Sequence, residues 1–481
     1  MSYLGIDLGT SGVRALLVDE DGAPLASVTR PCAVSTPHPG WSEQDPAEWT
    51  DALEQAIGEL RDTAPTFADL KGIGVAGHMH GATLLDAEDR VLRPCILWND
   101  TRSHAQAAKL DGTADVRELS GNIVFPGFTA PKLLWVRDNE PEVFQRVAKV
   151  LLPAAYLNHY LTGTHVADMS DSAGTSWLDV GARAWSDRLL EAGDMRPGQM
   201  PRLVEGSAPA GQLRADLAEK WGVGTVVVAG GAGDNAAAAC GIGAMAEGQG
   251  FVSLGTSGVV LVARDGYAPD PESAVHTFCH AVPGQWYQMG VMLSATDALN
   301  WLARITGATP AQLTAEVDGM RAPGSVRFLP YLSGERTPHN DADIRGSFTG
   351  LSTATTRADL TRAVLEGVAF GLRDSLEALR STGAAPEALL AIGGGAASRL
   401  WLRIIATAFD LPLQLPAGAE FGAALGAARL GLTAATGRAP EEVMTAPAVA
   451  ETIHPDQDLV AAFDAAYADF RAAYQGIRAV Q

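Results

Sequence analysis

The hexapeptide Leu8-Gly9-Thr10-Ser11-Gly12-Val13 recurs letter for letter as Leu254-Gly255-Thr256-Ser257-Gly258-Val259. Each copy follows an apolar run and leads into another, so each reads as strand, turn and strand. The copies split the 481 residues almost in half. A chain of that length exceeds what one hydrophobic core usually serves. Two related lobes are therefore expected, meeting near the Gly- and Ala-rich stretch 241–250, with residues 1–243 in the first and 244–481 in the second.

The opening residues predict three antiparallel strands over 3–8, 13–18 and 25–29. Asp45-Pro46-Ala47-Glu48 has the form of a helix start, with Asp45 as cap and Glu48 closing a capping-box-like pair. Trp49, Leu53, Ile57 and Leu60 then give one apolar stripe. Strands are predicted at 73–76, 83–85 and 225–229, and helices after Asp234, over 398–409 and over 451–481. Strands and helices interleave, which is an α/β pattern.

Composition excludes several classes. Lys and Arg number 35 against 56 Asp and Glu, so the net charge is 35 − 56 = −21. That balance argues against a nucleic-acid partner or a membrane surface, both of which want basic patches. No run of about 18 apolar residues exists to cross a bilayer. Four cysteines lie far apart with no CxxC pair, and no basic leader precedes Asp7, so a reducing cytoplasm is expected.

The chemistry concentrates at glycine clusters. A Gly-Thr-Ser-Gly turn offers backbone N–H groups and hydroxyls against which a phosphate can sit, although one such turn alone can be a plain hairpin. Two copies place Thr10 and Ser11 opposite Gly255 and Thr256 across a cleft. Asp7, two residues before the first turn, suits a magnesium ion held through water, or equally a strand-end residue bonding the turn. No Lys is followed by Ser or Thr, so the Gly-x4-Gly-Lys-Ser/Thr loop is absent. Gly393-Gly394-Gly395 follows an apolar run and precedes a helix from Ser398, so Gly394, Gly395 and Ser398 suit a nucleotide lying on the backbone. Asp234 ends a glycine run where a helix begins. It reads either as a cap or as a carboxylate taking a proton from a substrate hydroxyl.

Gly77-His78-Met79-His80-Gly81 places two imidazoles at i and i+2, on one face if the strand continues. A metal pair is one reading. The other is a core histidine beside a hydroxyl-binding histidine. Trp98-Asn99-Asp100-Thr101-Arg102 suits a polyol, with an aromatic face and polar groups, while a surface ion pair also accounts for Asp100 and Arg102.

In order, the motifs Ile6 to Gly12, Pro39 to Pro46, Gly81 to Asp86, Ile96 to Asp100, Pro126 to Trp135, Gly233-Asp234-Asn235, Phe328 to His339, Gly346 to Leu351 and Leu425 to Arg429 resemble the FGGY carbohydrate kinases, nearest to their bacterial xylulokinase branch. The likeness runs from residue 1 to about 435. It implies two actin-like (ribonuclease H-like) lobes around a cleft and transfer of phosphate from ATP to a ketopentose, D-xylulose to D-xylulose 5-phosphate. It also implies Asp234 as general base, Met79 and His80 as sugar contacts, Asp7 near magnesium and the phosphates, and Gly255-Thr256 at the transferred phosphate. One position departs: the branch usually has Gln before Met79, and here it is His78. Family members acting on ribulose, gluconate or glycerol therefore stay open as alternatives. So do an actin- or chaperone-like ATPase without sugar and a metal hydrolase built on His78 and His80. The oligomeric state is open between monomer and homodimer.

Overall fold

The computed structural model describes residues 1–418 and 422–480. In the first half, β1 (Ser2–Gly9), β2 (Gly12–Val18) and β3 (Pro24–Pro31) form the expected antiparallel meander. Helix α1 (Pro46–Thr63) follows, its first turn held where Asp45 accepts from the Ala47 N–H at 3.0 Å. The capping box does not close: Glu48 instead accepts from the Ala33 N–H at 3.1 Å, tying the strand exit to the helix. Trp49, Leu53, Ile57 and Leu60 are all buried against the sheet, so the stripe does what its spacing predicts. β4 (Leu70–Gly77) then pairs parallel to β1. Next come β5 (Pro209–Gln212), β6 (Val227–Ala229) and the short β7 (Ala232–Gly233), the last two parallel to β4. Helix α2 (Asp234–Gly241) closes this half.

The second half repeats the plan. β8 (Gly250–Leu254), β9 (Gly258–Arg264), β10 (His276–Cys279) and β11 (Trp286–Met292) are antiparallel neighbours, and α3 (Thr296–Thr306) follows. After the long α4 (Arg357–Ser381), β12 (Leu389–Ile392) pairs parallel to β8. Helix α5 (Arg399–Phe409) leads to β13 (Leu413–Pro416), parallel to β12. The strand orders are β5-β6-β4-β1-β2-β3 and β10-β11-β9-β8-β12-β13-β14, the last being Val449–Ile453. In each sheet an antiparallel hairpin trio adjoins parallel strands on the side of its first strand. That is the actin-like topology, present twice.

The identical hexapeptides do not fold identically. Gly9 pairs with Gly12, leaving a two-residue loop of Thr10 and Ser11, whereas Leu254 pairs with Gly258, leaving three residues. The wider loop is held open by the start of α3. The Ala295 N–H donates to the Thr256 carbonyl at 2.8 Å, and the Thr296 N–H and hydroxyl donate to the Gly255 carbonyl at 3.0 and 2.8 Å. In the first lobe, Gln44 Nε2 instead donates to the Thr10 carbonyl at 2.8 Å.

Helix α6 (Gly422–Thr436) crosses back and packs on the first sheet and on α2. The approach is so close that a Cβ on Gly74 would lie 1.9 Å from the Ala427 carbonyl oxygen, and one on Gly426 1.7 Å from that of Ala237. Only glycine fits there. The tail differs from the predicted single helix: β14 (Val449–Ile453) pairs with β13, and α7 (Val460–Arg478) begins only afterwards. Alternation in Val449-Ala450-Glu451-Thr452-Ile453 suits an edge strand better than a helix.

Candidate active site

Register brings the site together. Asp7 lies opposite Ala76, and Gly233 opposite Gly77, so β1, β4 and β7 reach their C-terminal ends at one level. The carboxyl ends of parallel strands are where open α/β sheets place ligands. Asp7, the Met79-His80 pair and Asp234 thus share one rim. Asp234 is not the cap of α2: Gly233 takes that place, and Asp234 is the first helical residue. Its Oδ1 accepts from the Asn235 backbone N–H at 2.7 Å and from Nδ2 at 2.9 Å. Burial pushes the Asp234 carboxyl up to about 6, against the pull of those bonds. Asp7 is also pushed up to about 6, first by burial and then by the Asp234 charge, with Arg14 opposing.

The strand stops at Gly77, and the two histidines part company. His78 is buried, edge-to-face with Trp49 at 5.7 Å between ring centres, and neither ring nitrogen has a partner. His80 adopts a left-handed backbone (φ 71°). Its carbonyl accepts from Lys132 Nζ at 2.8 Å and Thr129 Oγ1 at 3.2 Å, which holds that conformation. Its ring stacks on Phe128 at 4.5 Å, and Nδ1 meets the Gly174 carbonyl at 2.7 Å. A carbonyl only accepts, so Nδ1 carries the proton and Nε2 keeps a lone pair. Burial and the Lys132 charge lower both imidazoles to about 3, so both are neutral. The shared strand face expected for His78 and His80 is corrected by this break, and with it the metal pair. Met79 is buried, its sulfur accepting from the Tyr287 hydroxyl at 3.8 Å.

Trp98 is exposed and donates from Nε1 to Thr10 Oγ1 at 3.0 Å, so it flanks the first Gly-Thr-Ser-Gly turn, with Asn99 exposed beside it. Asp100 and Arg102 are no surface pair. Both are buried, joined at 2.6 Å, with the guanidinium 3.6 Å above Trp41 and 2.7 Å from Glu43. Asp100 also accepts from the Ser42 N–H at 2.6 Å, which makes it a structural clamp under the rim.

In the second lobe, Gly394, Gly395 and Ser398 line a cavity of about 390 Å³ with Thr296, Asn300 and Trp401. A Cβ on Gly394 would meet nothing within 4 Å, so that backbone faces open space. The helix starts one residue later than predicted, at Arg399, because Ser398 caps it by accepting from the Trp401 N–H at 3.3 Å. The Gly255-Thr256 loop adjoins this cavity through its bonds to residues 295–297.

Several site residues escape the sequence. Asp171 is buried with no hydrogen-bond partner on either oxygen, and burial, then Asp168 and Asp234, hold its carboxyl well above the usual range. Asp168 accepts from the Ser170 hydroxyl at 2.5 Å, and the Gly233 N–H donates to that hydroxyl at 3.1 Å, linking this turn to the start of α2. Nothing in the spacing of Asp168 and Asp171 marks them. Phe128 and Lys132 lie in one of the motifs quoted above, yet only the fold shows that they shape His80. Phe278 and Tyr287 come from the second lobe and reach His80 and Met79 across the cleft.

Two facing lobes of one topology, with a carboxylate at the strand ends of one and a glycine-lined cavity in the other, define a phosphotransferase of the actin-like class. The N-terminal domain model of the FGGY family of carbohydrate kinases matches residues 2–241, and the C-terminal domain model matches residues 250–435. The chain belongs to the FGGY family of carbohydrate kinases. It is 46% identical over 480 residues to the xylulose kinase of Escherichia coli (strain K12), with 98% of each chain covered. The crystal structure of a "xyloylose kinase" from Brucella ovis superposes with a TM-score of 0.99 at 58% identity, covering all of both chains. That of a xylulose kinase from Rhodospirillum rubrum gives 0.93 at 32%, covering 100% of this chain and 99% of the other.

Proposed function

We propose that this chain transfers the terminal phosphoryl group of ATP to D-xylulose, giving D-xylulose 5-phosphate and ADP, with Asp234 as the general base. The observation that carries the reading is the Asp234 carboxylate beside Met79 and His80 at the strand ends. Its affinity for a proton is raised to about 6, near enough to neutrality to take one from a hydroxyl yet ionised at pH 7. Xylulose kinases similar along nearly the whole length supply the substrate.

Each group has a task its chemistry suits. The His80 Nε2 lone pair accepts from a sugar hydroxyl, and the Met79 thioether packs on carbon. Trp98 and Asn99 form the rim of the sugar side. His78 faces Trp49, within the core, so Gln's usual position is filled here by a packing residue, which leaves the ketopentose assignment intact. The turns at Thr10-Ser11 and Gly255-Thr256 offer backbone donors to phosphate oxygens, and Gly394, Gly395 and Ser398 border the nucleotide cavity. Asp7 fits a magnesium ion: its hard oxygens face another carboxylate, a repulsion that a divalent cation relieves. When bound, that ion neutralises phosphate charge, which a protein of net charge −21 does not do by its overall field. Residues 1–243 then serve the sugar and 244–481 the nucleotide, with α6 as the strut between them. Four unpaired cysteines suit the cytoplasm.

ADP release measured with D-xylulose, L-ribulose, D-ribulose and glycerol tests the reading. D-Xylulose is expected to give the highest kcat/KM. Preference for another sugar, or hydrolysis of ATP unaffected by sugar, would replace it.

A further inference from the structure

Away from the cleft, Asp89, His159 and His165 bring a carboxylate oxygen and two imidazole nitrogens within 4.8 Å of one another, the one such cluster among the described residues. The fold assembles it from two places. Asp89 sits in a left-handed turn (φ 60°) whose N–H groups at Glu88 and Arg90 are held by Asp86 at 3.0 Å each. His159 lies in the last turns of the helix Pro153–Thr162, which Gly163 ends in a left-handed cap by donating to the His159 carbonyl at 2.7 Å. That reversal folds His165 back until the two rings stack, 4.6 Å apart and 11° from parallel.

Both rings turn Nε2 towards the same carboxylate, at 2.8 Å for His165 and 3.8 Å for His159. The longer distance is no hydrogen bond. A tetrahedral zinc ion with bonds of about 2.0–2.1 Å separates its ligand atoms by roughly 3.4 Å, between the two carboxylate–imidazole distances found, and the stacked rings must tilt apart for both Nε2 lone pairs to meet one ion.

We infer that Asp89, His159 and His165 form a binding site for a divalent transition-metal ion of the zinc type, with a fourth position open to water. Two imidazoles and one carboxylate select borderline metals over magnesium, which prefers oxygen ligands. The ion joins the turn at residues 86–90 to the end of the helix Pro153–Thr162. It therefore stabilises the first lobe and takes no part in phosphoryl transfer.

Calorimetric titration of the chelator-treated full chain with zinc chloride, in excess magnesium, tests this, with thermal unfolding as a second readout. One zinc per chain and a higher Tm with zinc are expected. His165→Ala and Asp89→Asn, the latter keeping the left-handed turn, each weaken binding roughly tenfold or more and remove the Tm rise. His38→Ala, at an exposed histidine outside the cluster, leaves both unchanged. Absence of stoichiometric binding, or binding that His165→Ala and Asp89→Asn leave intact, overturns the site.

Discussion

At His80, backbone and ring are fixed by different partners, and this divides what a substitution would do. Lys132 and Thr129 hold the carbonyl, while Gly174 fixes the tautomer that exposes Nε2 as an acceptor. His80→Ala leaves a buried sugar hydroxyl unpaired, at roughly 1–3 kcal/mol, so KM for D-xylulose should rise about 5- to 150-fold in steady-state assays. KM for ATP should hardly move; equal loss of both would remove His80 from the sugar pocket. The proposed function assigns the acid limb of activity to Asp234 and Asp7, both raised to about 6. A base must be ionised, so kcat/KM should fall as pH drops through about 6. Stability carries the opposite sign for these groups. A carboxyl near 3.8 when unfolded and near 6 when folded penalises folding fully above pH 6, and the penalty fades between 6 and 4. The lowered imidazoles of His78 and His80 work the other way, penalising folding below about 6.5, so the informative quantity is a difference between proteins. Asp234→Asn should be more stable than the parent by about 1–2 kcal/mol at pH 8, allowing for water in the open cleft, with the gain gone by pH 4. Denaturant melts at both pH values check this, and a variant less stable at pH 8 would contradict it.

Among the elements, α6 shows how a distant segment fixes a sheet. Gly74→Ala drives a Cβ into the Ala427 backbone and should destabilise by about 1–3 kcal/mol or more, because neither sheet nor helix can yield cheaply. Gly58, in the middle of α1 with nothing within 4 Å of a new Cβ, is the counterpart: Gly58→Ala should stabilise by about 0.5–1 kcal/mol. Urea unfolding of both variants separates steric closeness from helix propensity. The same elements show what a sequence carries. The meander, the α1 stripe and the doubled turn were legible because alternation, helical spacing and glycine turns are local signals. The return of α6 to the first sheet was not, since it depends on contacts between residues more than 300 apart. Asp234 was legible from its glycine run, although the cap beside it is Gly233. Asp171 was not, because only the packing of a buried turn deprives its carboxyl of partners. His78 and His80 looked alike in sequence and separate only where the strand ends.

For the whole molecule, the proposed function divides the work between the two lobes. The first presents the Asp234 carboxylate and the Met79-His80 pair, proposed as base and sugar contacts, at its strand ends, and the second presents a glycine-lined cavity beside the wider copy of the shared turn. Side chains from the second lobe already reach across the cleft, with the Tyr287 hydroxyl on Met79 and Phe278 6.3 Å from the His80 ring, so sugar bound there is screened from water by both lobes. The division makes sugar chemistry and nucleotide binding separable by one substitution. Turnover of D-xylulose by Asp234→Ala, measured beside the parent with ADP affinity determined on the same samples, tests it most directly. Loss of turnover by about 10²- to 10⁴-fold with ADP affinity unchanged is the predicted result. Near-parental turnover in the folded variant, or loss of ADP binding in step with activity, would contradict it.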